Sequence, residues 1–442
     1  MGRAYVARVQ GNFPRPSTCL SLMAAPSRPY DLIIWGASGF TGKLVAEHLA
    51  KLPSKPLRWA LAGRSQAKLE AVRASLGPQA ASVPVLTADP SDSNALDAVI
   101  GSGRVVLAMA GPYALYGLPV VESAVRNKVD YLDITGEAPF MRRVIDTHNA
   151  SAKAQGSVVC HTVGYDSVPW DLGAYLAVKQ LRESGDLPTD ARIKVEGFVG
   201  DTIGGFSGGT VASMLNMMKN PGDMAVLMNS QSLNPDGAPS SKARPQGGPA
   251  YSASGKRWTM PSLMAAVNEK VVHRSAALRP DFYGRDFSYS ESTLAPNAVG
   301  AYIGAGLMGL VGLSLAFPPS RWLLAHTVLP KPGQGPSESV RENGHFAALF
   351  LGSVEGSQKR SLVRIAKRNA DPGYKATSMM AAEAALCLAL ERAKCPCASS
   401  SDACGVTTPA VALGDVLVDR LKAQGFVIEV RPFAENETVP DA

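Results

Sequence analysis

Two hydrophobic periods take turns along the first part of the chain. Short apolar runs are followed by stretches whose apolar positions fall three and four residues apart, the period of an amphipathic helix. The runs are DLIIW (31–35), RWALAG (58–63), VPVLT (83–87), RVVLAMA (104–110), VDYLDI (129–134) and SVVCHTV (157–163). Strands alternating with helices predict a mostly parallel sheet with helices on both faces. The predicted fold class is α/β, a Rossmann-type doubly wound mostly parallel sheet, plus a second α+β domain.

Beyond residue 168 the alternation stops. ARIKVEGFVGD, from Ala191, reads as a strand, and GGTVASMLNMMK as a helix behind a Gly-rich turn at 204–209. Residues 230–256 are rich in Ser, Pro and Gly and read as a flexible surface loop. Residues 345–369 predict a hairpin turning near Gly356, and 377–394 a long Ala/Leu/Met-rich helix. Residues 413–433 read as helix, Gly425, strand. The expected organisation is a tail (1–29), a dinucleotide-binding domain (30–168), a second domain (169–404) and a closing unit (405–442) that returns to the first domain.

One stretch breaks both patterns. Residues 292–320 carry no charge, and 299–317 are nearly all apolar or glycine. Pro296, Pro318 and Pro319 bracket it, Arg321 and Trp322 follow, and Gly300, Gly304, Ala305 and Gly309 give small-xxx-small spacing. Four readings stand: a core segment of the second domain, a homodimer interface, an insertion into a membrane or lipid-droplet surface, and a full span.

Composition narrows the function class. At 442 residues and 46% apolar the chain is globular and long enough for two domains. Residues 1–29 hold Arg3, Arg8, Arg15 and Arg28 and no acid; without them the formal charge falls from +7 to +3. That is too weak and too scattered for a nucleic-acid footprint. The same segment has the composition of an organelle transit peptide, a mitochondrial one included. It reads equally as a disordered tail, or as sequence upstream of a start at Met23. Six cysteines in a chain of this length do not form a secreted disulfide framework. Cys395, Cys397 and Cys404 cluster without a fourth ligand or C-x-x-C spacing, so no metal site is expected. They read as free thiols on a surface loop, in a reducing compartment.

The chemistry concentrates at the carboxyl ends of the predicted strands, where doubly wound sheets bind ligands. Gly36, Ala37, Ser38, Gly39, Phe40, Thr41 and Gly42 lie between the first strand and first helix. There they would cradle a dinucleotide pyrophosphate: Gly36 for the tight turn, Ser38 and Gly39 for close approach, Gly42 for helix packing. Arg64 and Ser65 end the second strand, where an acid would hold the ribose of NAD; a guanidinium there suits a 2′-phosphate, favouring NADP with NAD possible. Asp89 ends the third strand, beside the adenine or as a helix cap. Ala110, Gly111 and Pro112 end the fourth, beside the nicotinamide. Tyr113 and Tyr165 are candidate proton donors, and Asp133 or Asp166 would hold the carboxamide; Tyr116 and Glu137 lie in the same region. Each has a structural alternative: Tyr113 as a cleft wall, Asp166 as a turn and helix cap, His161 as a core histidine.

The motifs GASGFTG, WALAGRS, MAGPYALYGLPVVESAV, DYLDITGE and GYDSVPWDLG are followed by GPSESVRENGHF, GYKATSMMAAEAAL and GVTTPAVALGDVLVDRLKAQGF. In this order they resemble the saccharopine dehydrogenase-like oxidoreductases, which include bacterial trans-acting enoyl reductases. The resemblance covers nearly everything from Tyr30 to about Val430. It implies a nicotinamide cofactor, a second α+β domain and, as in eukaryotic members, association with a membrane or lipid droplet. A saccharopine-type substrate carries several carboxylates and calls for several basic residues in the second domain. The segments around 204–218 and 379–390 are apolar or small instead. The expected function is an NADPH-preferring reductase of an apolar, lipid-linked carbonyl or enoyl group. The alternatives are a non-catalytic dinucleotide-binding protein at a membrane surface and a lysine-pathway dehydrogenase.

Overall fold

The computed structural model describes residues 28–52, 57–185, 187–205, 213, 221–238, 245–327 and 335–441. The expectations for the amino-terminal tail and for most of the helix at 208–219 lie outside these residues. Each apolar run of the first half forms a strand: β1 (Tyr30–Trp35), β2 (Trp59–Gly63), β3 (Val85–Thr87), β4 (Gly103–Ala108), β5 (Asp130–Asp133) and β6 (Val158–Cys160). Between them run α1 (Phe40–Lys51), α2 (Gln66–Ser75), α3 (Ser93–Gly101), α4 (Tyr113–Tyr116), α5 (Leu118–Arg126) and α6 (Ala138–Gln155). The strands pair in parallel in the order β3-β2-β1-β4-β5-β6, so the chain reverses direction across the sheet between β1 and β4. Ile33 lies level with Ala60 and Val106, and this aliphatic layer is fully buried. Helix starts follow local chemistry: Asp92 accepts the Asn94 and Ala95 N–H groups at 3.0 Å to open α3. Gly156, at φ +68°, ends α6 in the left-handed conformation.

The second sheet is mixed, in the order β14-β12-β11-β7-β10-β9-β8. Its strands are β7 (Ile193–Ile203), β8 (Ala250–Ser252), β9 (Arg257–Pro261), β10 (Ser288–Ala295), β11 (His345–Val354), β12 (Arg360–Lys367) and β14 (Val427–Pro432). β11 and β12 form the hairpin expected at Gly356. α7 (Val168–Glu183) carries the chain out of the first sheet and lies against the second, with Trp170 edge-on to Phe350 at 5.6 Å. α8 (Ala265–Leu278) packs along β10. α9 (Ala298–Ala316), α10 (Pro318–Thr327) and α11 (Glu338–Asn343) precede β11; α12 (Thr377–Glu391) and α13 (Gly414–Ala423) follow the hairpin.

Three expectations are corrected. The closing unit divides: β13 (Gly405–Thr407) pairs with β6 as a seventh strand of the first sheet, whereas β14 adds to β12 of the second. Residues 377–391, assigned to the second domain, form a helix packed on α1, β1, β4 and β5. Its Glu383 bridges His48 of α1 at 3.0 Å and Arg420 of α13 at 2.6 Å. A small-residue, apolar helix is suited to close packing on a sheet already covered by α1. Second, part of 230–256 is ordered against the body: Leu233 is buried, Arg142 of α6 donates to the Ser232 and Asn234 carbonyls at 3.2 and 3.1 Å, and 250–252 form an edge strand. Third, Cys395, Cys397 and Cys404 are free but buried, with the Cys404 Sγ 3.2 Å from the Cys397 carbonyl. Of the four readings of 299–317, the core segment falls: only 6% of the stretch Ala298–Leu315 is buried, and Val299, Leu307 and Leu313 are 60–70% exposed.

Candidate functional site

The glycine turn occupies the switch point between β1 and β4. Gly36 has φ +81°, and a Cβ there would lie 2.8 Å from the Ala110 Cβ and 2.9 Å from its nitrogen. A Cβ on Gly42 would collide with the Gly36 carbonyl oxygen. The two glycines therefore let the turn fold onto the end of β4 and onto the first turn of α1. Gly39 is the N-cap of α1, and no side chain caps it. The first-turn amides, including those of Phe40 and Thr41, have no intrahelical acceptor and carry the positive end of the helix dipole. Ala37 is buried, and Ser38 is exposed at the turn.

Arg64 follows β2 and is exposed. Its guanidinium lies over the Tyr116 ring at 5.6 Å, and among the described residues it forms no ion pair. Ser65 opens α2, accepting the Lys68 N–H at 3.5 Å. Asp89 is not the helix cap of its alternative reading, since Asp92 opens α3; its carboxylate takes the Ser91 N–H at 2.9 Å and hydroxyl at 2.8 Å in the turn before that helix. Those bonds, with Arg64 at longer range, hold its pKa below the usual carboxylate value. Ala110, Gly111 and Pro112 pass over the end of β4 beside the turn, and the Gly111–Pro112 peptide is cis. A Gly-lined turn with an uncapped helix amino end, and an unpaired arginine at the end of β2, suit a dinucleotide bearing a 2′-phosphate.

The candidate proton donors fare differently. Tyr113 is buried, and its hydroxyl donates to the Ala108 carbonyl at 2.9 Å. Burial, with Asp133 and Glu137 near, holds its pKa well above the ordinary value. The phenol is spent inside the protein, so Tyr113 is a wall and does not present a proton. Glu137 accepts the Tyr113 and Ala114 N–H groups, both at 2.8 Å, and the Ser213 hydroxyl at 2.7 Å; it anchors the start of α4. Asp133 is fully buried and accepts from Tyr131 Oη at 2.9 Å, bonds His161 Nδ1 at 2.8 Å and takes the Thr135 N–H at 3.0 Å. It has no capacity left for a carboxamide. His161 lies in the core edge-on to Phe140, its Nε2 buried without a partner among the described residues.

Asp166 is the opposite case. It sits in the loop after β6, near Gly136, half-buried, and forms no hydrogen bond or ion pair among the described residues. The N-cap of α7 is Ser167, so Asp166 is not the helix cap of its alternative reading. Burial pushes its pKa up to about 6. Tyr165 beside it packs edge-on to Phe346 at 4.9 Å. Burial, then Glu291 and Asp166, push the phenol's pKa up, while Thr202 opposes the shift.

Behind this turn lies an acidic cluster the sequence did not flag. Ser167 Oγ donates to Asn268 Oδ1 of α8 at 3.2 Å. Glu291, on β10, accepts the Ser262 hydroxyl at 2.6 Å, and its second oxygen is buried without a partner among the described residues. The Glu291 N–H donates to Glu269 of α8 at 3.1 Å. Burial drives Glu291 up to about 8 and Glu269 up to about 7. In SYSESTLA the acid reads as the polar face of an edge-like strand; only the pairing of β10 between β7 and β9 turns it inward. Among the described residues no group of side chains is arranged to hold a metal ion.

Comparison with known proteins agrees with this geometry. The family model of the saccharopine dehydrogenase NADP binding domain matches residues 32–160. A Mycobacterium tuberculosis protein provisionally named a trans-acting enoyl reductase is 39% identical over 438 residues, covering 93% of this chain and all of the relative. A trans-acting enoyl reductase from Mycobacterium leprae is 36% identical over 432 residues, covering 92% of this chain and 99% of the relative. Among solved structures, apo saccharopine dehydrogenase (L-Glu forming) from Saccharomyces cerevisiae aligns with a TM-score of 0.49 at 14% identity, over 91% of this chain and 99% of that one. The chain therefore belongs to the saccharopine dehydrogenase-like family that includes the trans-acting enoyl reductases, and it is an NADP-binding oxidoreductase.

Proposed function

We propose that this oxidoreductase reduces an enoyl group on an apolar, lipid-linked acceptor at a membrane or lipid-droplet surface. The names of its mycobacterial relatives support the enoyl group over the carbonyl alternative. The observation that carries the lipid assignment is α9. Its apolar side chains stand exposed along the whole helix, and it leaves directly from the end of β10, the strand that carries Glu291. A continuous apolar surface of this size is costly in water and fits an acyl or membrane phase.

NADPH, when bound, supplies the hydride to the β-carbon of the acceptor. The balance of the reaction then requires one proton at the α-carbon. Asp166, unpaired at the end of β6 and with a pKa of about 6, is the group assigned to hold and deliver it. Tyr165, whose phenol burial keeps protonated, serves as a hydrogen-bond donor to the developing enolate oxygen. Burial alone raises the Asp166 pKa, with no cation opposing the shift, which disfavours a polycarboxylate amino-acid acceptor at this position.

The test follows NADPH consumption with a long-chain enoyl thioester and the matching ketone, and NADP+ reduction with saccharopine. The enoyl thioester should turn over best. Asp166→Asn should lower kcat by about 10²–10⁴, the usual contribution of a general acid, with NADPH Kd unchanged. Faster turnover with saccharopine, or full kcat in Asp166→Asn, would overturn the reading.

A further inference from the structure

The glycine turn has a neighbour from the second domain. A short run ending in α11 lies directly on Phe40, the first residue of α1: a Cβ on Gly335 would enter the Phe40 ring. Arg341 of α11 covers the same ring, its guanidinium carbon 5.6 Å from the centroid. The Tyr374 ring meets Phe40 edge-on at 5.2 Å. Arg341 is held on both backbone and side chain. Its carbonyl accepts the Asp371 N–H at 3.0 Å, and its Nη1 donates to the Pro336 carbonyl at 2.8 Å.

The charge on Arg341 has no close compensation among the described residues. Asp371 takes the Tyr374 and Lys375 N–H groups at 3.1 and 2.9 Å, and it lies near Arg341 without forming an ion pair. Glu342, the next residue along, is taken by Lys375. A fixed, half-buried, unpaired guanidinium thus sits beside the uncapped amino end of α1. Holding a cation against a positive helix end costs free energy unless an anion comes between them.

We propose that Arg341 is a phosphate-binding residue of the dinucleotide site, supplied by the second domain and directed at the pyrophosphate. The inference rests on NADP binding at the glycine turn. It divides the work between two arginines. Arg64, at the end of β2, reads the 2′-phosphate and so distinguishes NADPH from NADH. Arg341, over Phe40, serves the pyrophosphate that both cofactors share, and through it the cofactor ties the second domain to the first.

The test is a fluorescence titration of NADPH and NADH into the full chain at several salt concentrations, with adenosine 2′-monophosphate as a ligand lacking pyrophosphate. Arg341→Ala should weaken NADPH and NADH by the same factor, roughly tenfold to a hundredfold, the loss of a charged hydrogen bond. It should leave adenosine 2′-monophosphate unchanged and lower the salt dependence of NADH binding. Arg341→Lys should recover part of the loss, because charge persists without the fork. Arg341→Gln, judged folded by its cofactor-free melting temperature, carries the same comparison if the alanine variant folds poorly. Unchanged NADH affinity in a folded Arg341→Ala or Arg341→Gln protein overturns the proposal. So does a loss confined to NADPH, which would move the residue to the 2′-phosphate. Wild-type protein that binds neither dinucleotide would refute the cofactor site itself.

Discussion

Placing lysines at Leu307 and Val311 separates a lipid-facing α9 from any other use of the helix. Both are about 60% exposed and lie one turn apart. Ten apolar side chains on α9 and α10, from Val299 to Leu323, are each half to seven-tenths exposed. Full burial of such a side chain is worth about 1.5–3 kcal/mol, so finishing the burial of these ten yields on the order of 10–15 kcal/mol. The backbone is already helical, so its ordering is not charged again. Immobilising the protein on a surface takes back several kcal/mol, and a strong net partition remains. Each lysine at mid-helix costs about 2.5–3.5 kcal/mol in an inserted position and forfeits the aliphatic gain. The pair should cancel most of the driving force. In flotation with phospholipid vesicles and with triacylglycerol emulsions, wild type should rise with the lipid and Leu307→Lys/Val311→Lys should stay at the bottom. Its NADPH affinity and melting temperature should match wild type. The reasoning fails if wild type does not float. It fails too if wild type is a dimer in lipid-free solution that the lysines dissociate, since α9 would then face a second copy.

Three further outcomes are expected. Arg64→Ala should weaken NADPH by about 1.5–3 kcal/mol and leave NADH nearly unchanged, and equal losses would remove Arg64 from the 2′-phosphate. Gly39→Val should abolish dinucleotide binding in a folded protein, because its Cβ already sits 3.2 Å from the Gly36 oxygen and the branch beyond it enters the phosphate position; retained affinity would place the phosphates elsewhere. Stability should fall as pH rises from about 4 to 8. Asp166, Glu269 and Glu291 all have folded pKa values above their ordinary ones, so their contribution is complete below pH 4 and lost above about 8. At about 1.4 kcal/mol per pH unit, Glu291 alone accounts for on the order of 4 kcal/mol between pH 5 and 9. Glu291→Gln should flatten that part of the decline in urea melts, and an unflattened curve would mean the carboxyl is not held protonated.

What sequence could reveal here follows from how each feature is encoded. A buried parallel strand writes itself as an apolar run, and the pyrophosphate turn as glycines at 36, 39 and 42, so β1 to β6 and the cofactor end were readable. Hydrogen-bond use is not written locally. Tyr113, Asp133 and Asp166 look alike as polar residues at strand ends, yet two are consumed by Ala108, His161 and Tyr131 while Asp166 has no partner among the described residues. Composition also cannot tell an apolar helix in the core from one on the surface, because both satisfy the same hydropathy; the exposure of α9 depends on what packs against it. Cys395, Cys397 and Cys404 misled for the opposite reason. A Pro/Ser-rich stretch reads as surface, but here the thiols are buried, Cys395 against the carboxyl end of α12 and Cys404 against the Gly156 and Cys397 carbonyls.

That return also sets an order of events on the ribosome. β6 emerges at residues 158–160, but the strand that covers its edge is made of residues 405–407. The helix that completes one face of the same sheet, α12, is likewise a late arrival at 377–391. Most of the chain must therefore be synthesised before the nucleotide-binding sheet is closed. In the interval its outer strand offers an unpaired backbone edge, and its β1 and β4 side chains lack their cover. A fragment ending after α6 or α7 is an unfinished sheet with a sticky margin. Production in pieces should yield aggregates, and the natural chain has reason to engage a holdase until its last hundred residues are out.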